Sequence, residues 1–118
     1  MAYRSFCIEV INLTGLDLEL TEKSLSHGIW GNNDQDTPPE RIPGMSKGIV
    51  HAESQGFGTG TEGNVVYRSS HGEFKIYWDN PGVGSNAFGV QVPEGYDKTY
   101  SDIHGNNAHV KLNLHPKM

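Results

Sequence analysis

The chain has 118 residues, 14 acidic against 9 basic side chains, a formal charge of -5 and 35% hydrophobic residues, with 15 glycines, six prolines and one cysteine. That length supports one buried core, and the glycine and proline content favours short strands and turns over helices. The lack of any Lys/Arg cluster excludes a phosphate-neutralising nucleic-acid surface and simple electrostatic adhesion to anionic lipid.

The opening residues, Met1 to Val10, contain no apolar run long enough for a signal-peptide core. No stretch approaches the ~20 apolar residues of a membrane-spanning helix either. A cytoplasmic or non-classically secreted protein is the expectation. Cys7 has no partner for an intrachain disulfide, and its place between Phe6 and Ile8 suits an inert strand thiol.

From Ser5 to Asn12, Phe6, Ile8 and Val10 alternate with Cys7, Glu9 and Ile11, the period-two signature of a strand. Asn12 to Gly15 supplies a turn, and Leu16, Leu18 and Leu20 alternate with Asp17, Glu19 and Thr21 as a second strand. The two are expected to pair as an antiparallel hairpin. Between Ser26 and Gly48 the prolines at 38, 39 and 43 predict mostly connection, interrupted by a short strand piece around Ile29 and Trp30.

Lys47 to Ser54 reads as another strand, followed by the glycine-rich run from Gln55 to Gly60. Glu62 to Arg68 and Glu73 to Trp78 form a hairpin about Ser69-Ser70-His71-Gly72. Asn86 to Val92 follows the turn beginning at Asp79, the stretch containing Tyr96 and Tyr100 reads as a polar loop, and Val110, Leu112 and Leu114 mark a last strand. This spacing predicts an all-β, antiparallel β-sandwich as one domain over residues 1–118, with a small barrel as the competing closure.

Catalytic and metal signatures are weak. The six histidines include no His-x-x-x-His spacing, and there is no Gly-x-Ser-x-Gly elbow. Asn32 to Asp36 lacks the glycine and distal glutamate of a calcium loop. The run from Gly58 to Gly63 opens onto a strand and has no Lys-Ser/Thr, so its glycines read as aiming devices for Phe57 and Glu62 rather than a phosphate cradle. No enzyme, cofactor or metal site is expected. Trp30 and Trp78 stand beside turn sequences and suit either a core or a loop mouth where rings meet a bilayer interface or a choline-like cation.

Several ordered elements make the chain resemble the aegerolysins, small β-sandwich proteins of fungi and bacteria. These are Met1-Ala2-Tyr3, Ser26-His27-Gly28-Ile29-Trp30-Gly31, Lys47-Gly48, Thr61-Glu62-Gly63, and Tyr77-Trp78-Asp79-Asn80-Pro81 with Gly84-Ser85-Asn86. The resemblance implies a cytolysin-like sandwich, selective binding to sphingolipid membranes and, in some members, pore formation with a larger perforin-like partner. It makes Glu62, in the Thr-Glu-Gly element, the first lipid-binding choice, with Trp30 and Trp78 as interfacial aromatics. Tyr77 and Tyr96 complete the candidate set. A carbohydrate-binding, lectin-like protein is the alternative, because Trp flanked by Asn and Asp also suits sugar stacking and hydroxyl recognition.

Overall fold

The computed structural model describes residues 3–118; the Met1-Ala2 part of the resemblance lies outside them. The strands are β1 (Ser5–Asn12), β2 (Leu18–His27), β3 (Ile29–Trp30), β4 (Arg41–Ile42), β5 (Lys47–Glu53), β6 (Thr61–Ser69), β7 (Gly72–Asn80), β8 (Ala87–Gln91), β9 (Tyr96–Tyr100) and β10 (Asn107–Pro116). They form two five-stranded sheets, ordered β3-β5-β1-β10-β9 and β4-β2-β6-β7-β8. The fold is the expected all-β sandwich.

The alternating stripes become the two inner faces. Phe6, Ile8 and Val10 of β1 and Val110, Leu112 and Leu114 of β10 meet Val65 and Tyr67 of β6 and Phe74, Ile76 and Trp78 of β7 in one buried cluster. Burying a side chain of this size contributes roughly 1.5–3 kcal/mol. The phenol of Tyr67 stays satisfied inside by donating to the Pro39 carbonyl at 2.8 Å, and burial pushes its pKa well above the ordinary tyrosine value.

Three expectations need correction. The β1/β2 hairpin does not form, because the turn after Asn12 carries the chain from one sheet to the other. The sandwich is not antiparallel throughout either: β1 and β10 run parallel, from Ser5 opposite Asn107 to Asn12 opposite Leu114. A period-two stripe is the same in both pairings, so the alternation carries no sign of direction. The polar loop expected around Tyr96 to Tyr100 is the edge strand β9, paired with β10, and its half-buried positions do not alternate cleanly.

β2 is longer than its leucine stripe. Its last half is largely exposed, so no apolar alternation marks it, yet it pairs with β6 as far as His27 opposite Glu62. After β3, residues 31–34 make one tight turn with Asn32, Asn33 and Asp34 at positive φ, a conformation that Asn and Asp tolerate best after glycine. No helix among the described residues is long and apolar enough to cross a membrane.

Candidate recognition recess at one end of the sandwich

Glu62 and Asp79 face each other across β6 and β7. Both lie at outward positions, because the flanking Thr61, Trp78 and Asn80 are buried on the inner side. A bulge in β2 leaves Ser26 unpaired between Leu25 and His27, which brings His27 opposite Glu62. His27 Nε2 stands 3.8 Å from Glu62 Oε1. Tyr77, one step inward along the same outer face, donates its hydroxyl to Glu62 Oε2 at 2.5 Å.

That donation pushes the Tyr77 pKa up to about 12, with burial and the Glu62 and Asp79 charges acting in the same direction. Asp79 is raised above the ordinary carboxylate value, first by burial and then by the Glu62 charge, against an opposing pull from His27. The result is an acidic recess of about 340 Å³ lined by His27, Glu62 and Asp79, with Thr59, Gly60, Pro81 and Gly82 forming its outer lip. Beside it, Tyr77 also borders a shallow groove of about 770 Å³ over the sheet face, which includes Asn64, Lys75 and Gln91.

The local sequence explains the arrangement. Gly63 sits where a Cβ would lie 2.8 Å from Trp78 Cζ2 and 2.5 Å from the Ser24 carbonyl oxygen, so the Thr-Glu-Gly element seats the indole directly beneath the recess. Thr61 Oγ1 accepts the Trp78 Nε1 hydrogen at 3.3 Å. Asn80, at the end of β7, is buried, and its Nδ2 is within hydrogen-bond distance of the carbonyls of Ser5, Gly105 and Asn106.

The structure does not place the two tryptophans at a loop mouth. Trp78 is 0% and Trp30 8% exposed, and their rings pack 5.9 Å apart. β7 continues two residues beyond Trp78, so the indole occupies an inward strand position rather than the following turn. Trp30 likewise pairs into its sheet opposite Ala52. Tyr96 is also removed from Glu62: its ring packs against Phe74 and His71 beside the β6/β7 hairpin, and Asp79 lies five residue steps along β7 from Phe74, roughly 17 Å of strand. Of the five candidates, only Glu62 and Tyr77 meet on the outer face at the recess, where the structure adds His27 and Asp79.

The aegerolysin family model matches residues 4–114. The chain belongs to the aegerolysin family. This aegerolysin shares its fold with the lipid-binding protein Nakanori, whose crystal structure covers 98% of the chain and is itself 72% covered, with a TM-score of 0.85 at 15% sequence identity. An uncharacterized protein of Dictyostelium discoideum is 32% identical over 92 residues, which are 76% of this aegerolysin and 8% of that protein. The chain therefore spans about a twelfth of the length of that relative.

Among the described residues of this aegerolysin, no three His, Cys, Asp or Glu side chains stand close enough to hold a metal ion. The Cys7 thiol is pushed above its ordinary pKa, mainly by burial, which disfavours the thiolate needed of a nucleophile.

Proposed function

We propose that this aegerolysin is a peripheral membrane-binding protein that recognises a sphingolipid headgroup at the Glu62 recess, acting by binding rather than catalysis. One observation carries the reading: Glu62 is 27% exposed in its side chain and is held by the Tyr77 hydroxyl in a recess that opens between two loops. A carboxylate so placed retains free lone pairs for the amide N–H, hydroxyl or ammonium donors of a sphingolipid. Asp79 beside it repels anionic headgroups and favours those carrying a cation. The lipid-binding description of Nakanori and the family resemblance support the same class of ligand.

Liposome flotation across sphingomyelin, ceramide phosphoethanolamine and phosphatidylcholine tests it. Wild-type protein floats with one of the sphingolipids, and Glu62→Gln loses about tenfold of that preference, the value of one charge-assisted hydrogen bond. Equal indifference of the wild type to all three lipids contradicts the proposal. In its finer form, the lipid-bound chain is the docking component for a perforin-like partner, which dye release from sphingomyelin vesicles with and without such a partner examines.

The groove beside Tyr77 favours a second reading, a saccharide ligand, because Asn64 and Gln91 offer amides next to an aromatic ring. Binding competed away by free sugar, without vesicle retention, distinguishes it.

A further inference from the structure

Two loops meet at the lip of the recess, and both have the same construction. The β5–β6 loop carries Gly56-Phe57-Gly58, and the β7–β8 loop carries Gly82-Val83-Gly84. Phe57 is 93% and Val83 92% exposed. Neither loop, 54–60 or 81–86, contains a charged residue, although the chain has 23 of them. Charge at this end sits instead in the recess, on Glu62 and Asp79, and on Arg4 and Asp102.

The tips are held, not loose. Gly56, Gly58 and Gly84 have positive φ, the region glycine enters without steric cost. Gly82 approaches the Gly58 carbonyl oxygen so closely that an added Cβ would sit 2.3 Å from it, so the loops can back onto each other only through glycine. Thr59 Oγ1 lies 2.8 Å from the Gln55 carbonyl and 2.7 Å from that of Gly56. Arg4 donates to the Gly82 carbonyl at 3.0 Å, and the Tyr3 ring flanks Phe57 at 5.4 Å.

We infer that Phe57 and Val83 are the membrane-penetrating points of this aegerolysin, entering the acyl boundary of a bilayer while the Glu62 recess between them faces the headgroups. The inference rests on the proposed lipid recognition and extends it to a second, apolar contact. A bilayer is the occupant these features fit. A stable protein partner requires on the order of 800 Å² of continuous complementary surface on each side, whereas single apolar residues on uncharged glycine-flanked tips suit a fluid apolar medium. Entry would carry no charge into the membrane from these loops, and the held backbone lowers the ordering cost of binding.

The test is flotation of wild type, Phe57→Ser, Val83→Ser and the double variant on sphingomyelin vesicles and on phosphatidylcholine vesicles. Each single change weakens partition by about tenfold and the pair by roughly a hundredfold, while the preference between the two lipids is unchanged. Urea midpoints stay at the wild-type value, because both side chains lie outside the core. Wild-type partition by the double variant overturns the inference. Lipid-free self-association, seen by sedimentation and abolished in the double variant, overturns it in favour of a second copy as occupant. If Glu62→Gln leaves lipid preference intact while the tip variants still lose partition, the headgroup reading fails and the tip inference stands.

Discussion

The two ends of the sandwich are fastened alike and finished differently. At the end away from the recess, the Asn12 side chain is buried and reaches the carbonyls of Leu16, Ile42 and Pro43. At the recess end Asn80 does the same for Ser5, Gly105 and Asn106. Beyond Asn12 the surface closes with ordinary polar chemistry: Arg41 bonds Asp17 at 2.7 Å, and the Gly44 amide donates to the same carboxylate at 3.0 Å. These contacts, the backbone donor first, hold Asp17 below the usual carboxylate range. Two exposed apolar residues, Leu13 at 43% and Met45 at 70%, stand beside them, both less exposed than Phe57 and Val83. Beyond Asn80 come uncharged loops with two apolar tips and an acidic recess. Equal internal support with unequal exteriors indicates that the exposure of Phe57 and Val83 is not a failure of packing at that end.

The sharpest way to break this comparison is to remove the fastenings. Asn12→Ala and Asn80→Ala each leave buried carbonyls without a donor, and each is expected to cost about 3 kcal/mol of stability in urea unfolding. Only Asn80→Ala should also weaken vesicle partition, because its carbonyl partners support the recess end. A matching loss of vesicle partition in Asn12→Ala would erase the distinction between the ends.

Much of this architecture was legible in the residues. The stripes of β1, β6, β7 and β10 gave the class, the β6/β7 hairpin fell where Ser69 to Gly72 placed it, and Glu62 was marked by its Thr-Glu-Gly element. What alternation does not encode is which strands become neighbours. The parallel β1/β10 pair and the passage of β2 into the other sheet were hidden for that reason. His27 was hidden likewise, since only the β2 bulge and the β2/β6 register bring it to Glu62. Trp30 and Trp78 misled because a turn sequence next to an indole does not say whether the strand has ended; two further residues of β7 put Trp78 inside. The doubled glycine-apolar-glycine pattern was the available signal for Phe57 and Val83, and its meaning needed the exposure of both side chains.

A smaller effect sharpens the recess itself. In ultraviolet titration, Tyr77 should ionise near 12, about two pH units above an unperturbed phenol, and Glu62→Gln should bring it back toward the ordinary value. The sign follows from the raised folded pKa: the Tyr77–Glu62 contribution to stability is complete below the unfolded tyrosine value and is lost as pH rises through the folded one. An unchanged titration in Glu62→Gln would remove the hydroxyl-to-carboxylate bond from the account.

Which end meets lipid is measured most directly with a polarity-sensitive fluorophore attached to a single cysteine, after Cys7→Ala removes the native thiol. Val83→Cys and Met45→Cys carry the label at the two ends, and sphingomyelin vesicles containing nitroxide-labelled lipid act as quencher. The label at position 83 should shift to the blue and be quenched on vesicle binding, while that at position 45 stays as in water. Quenching at 45 alone, or equally at both positions, would contradict docking through the recess end.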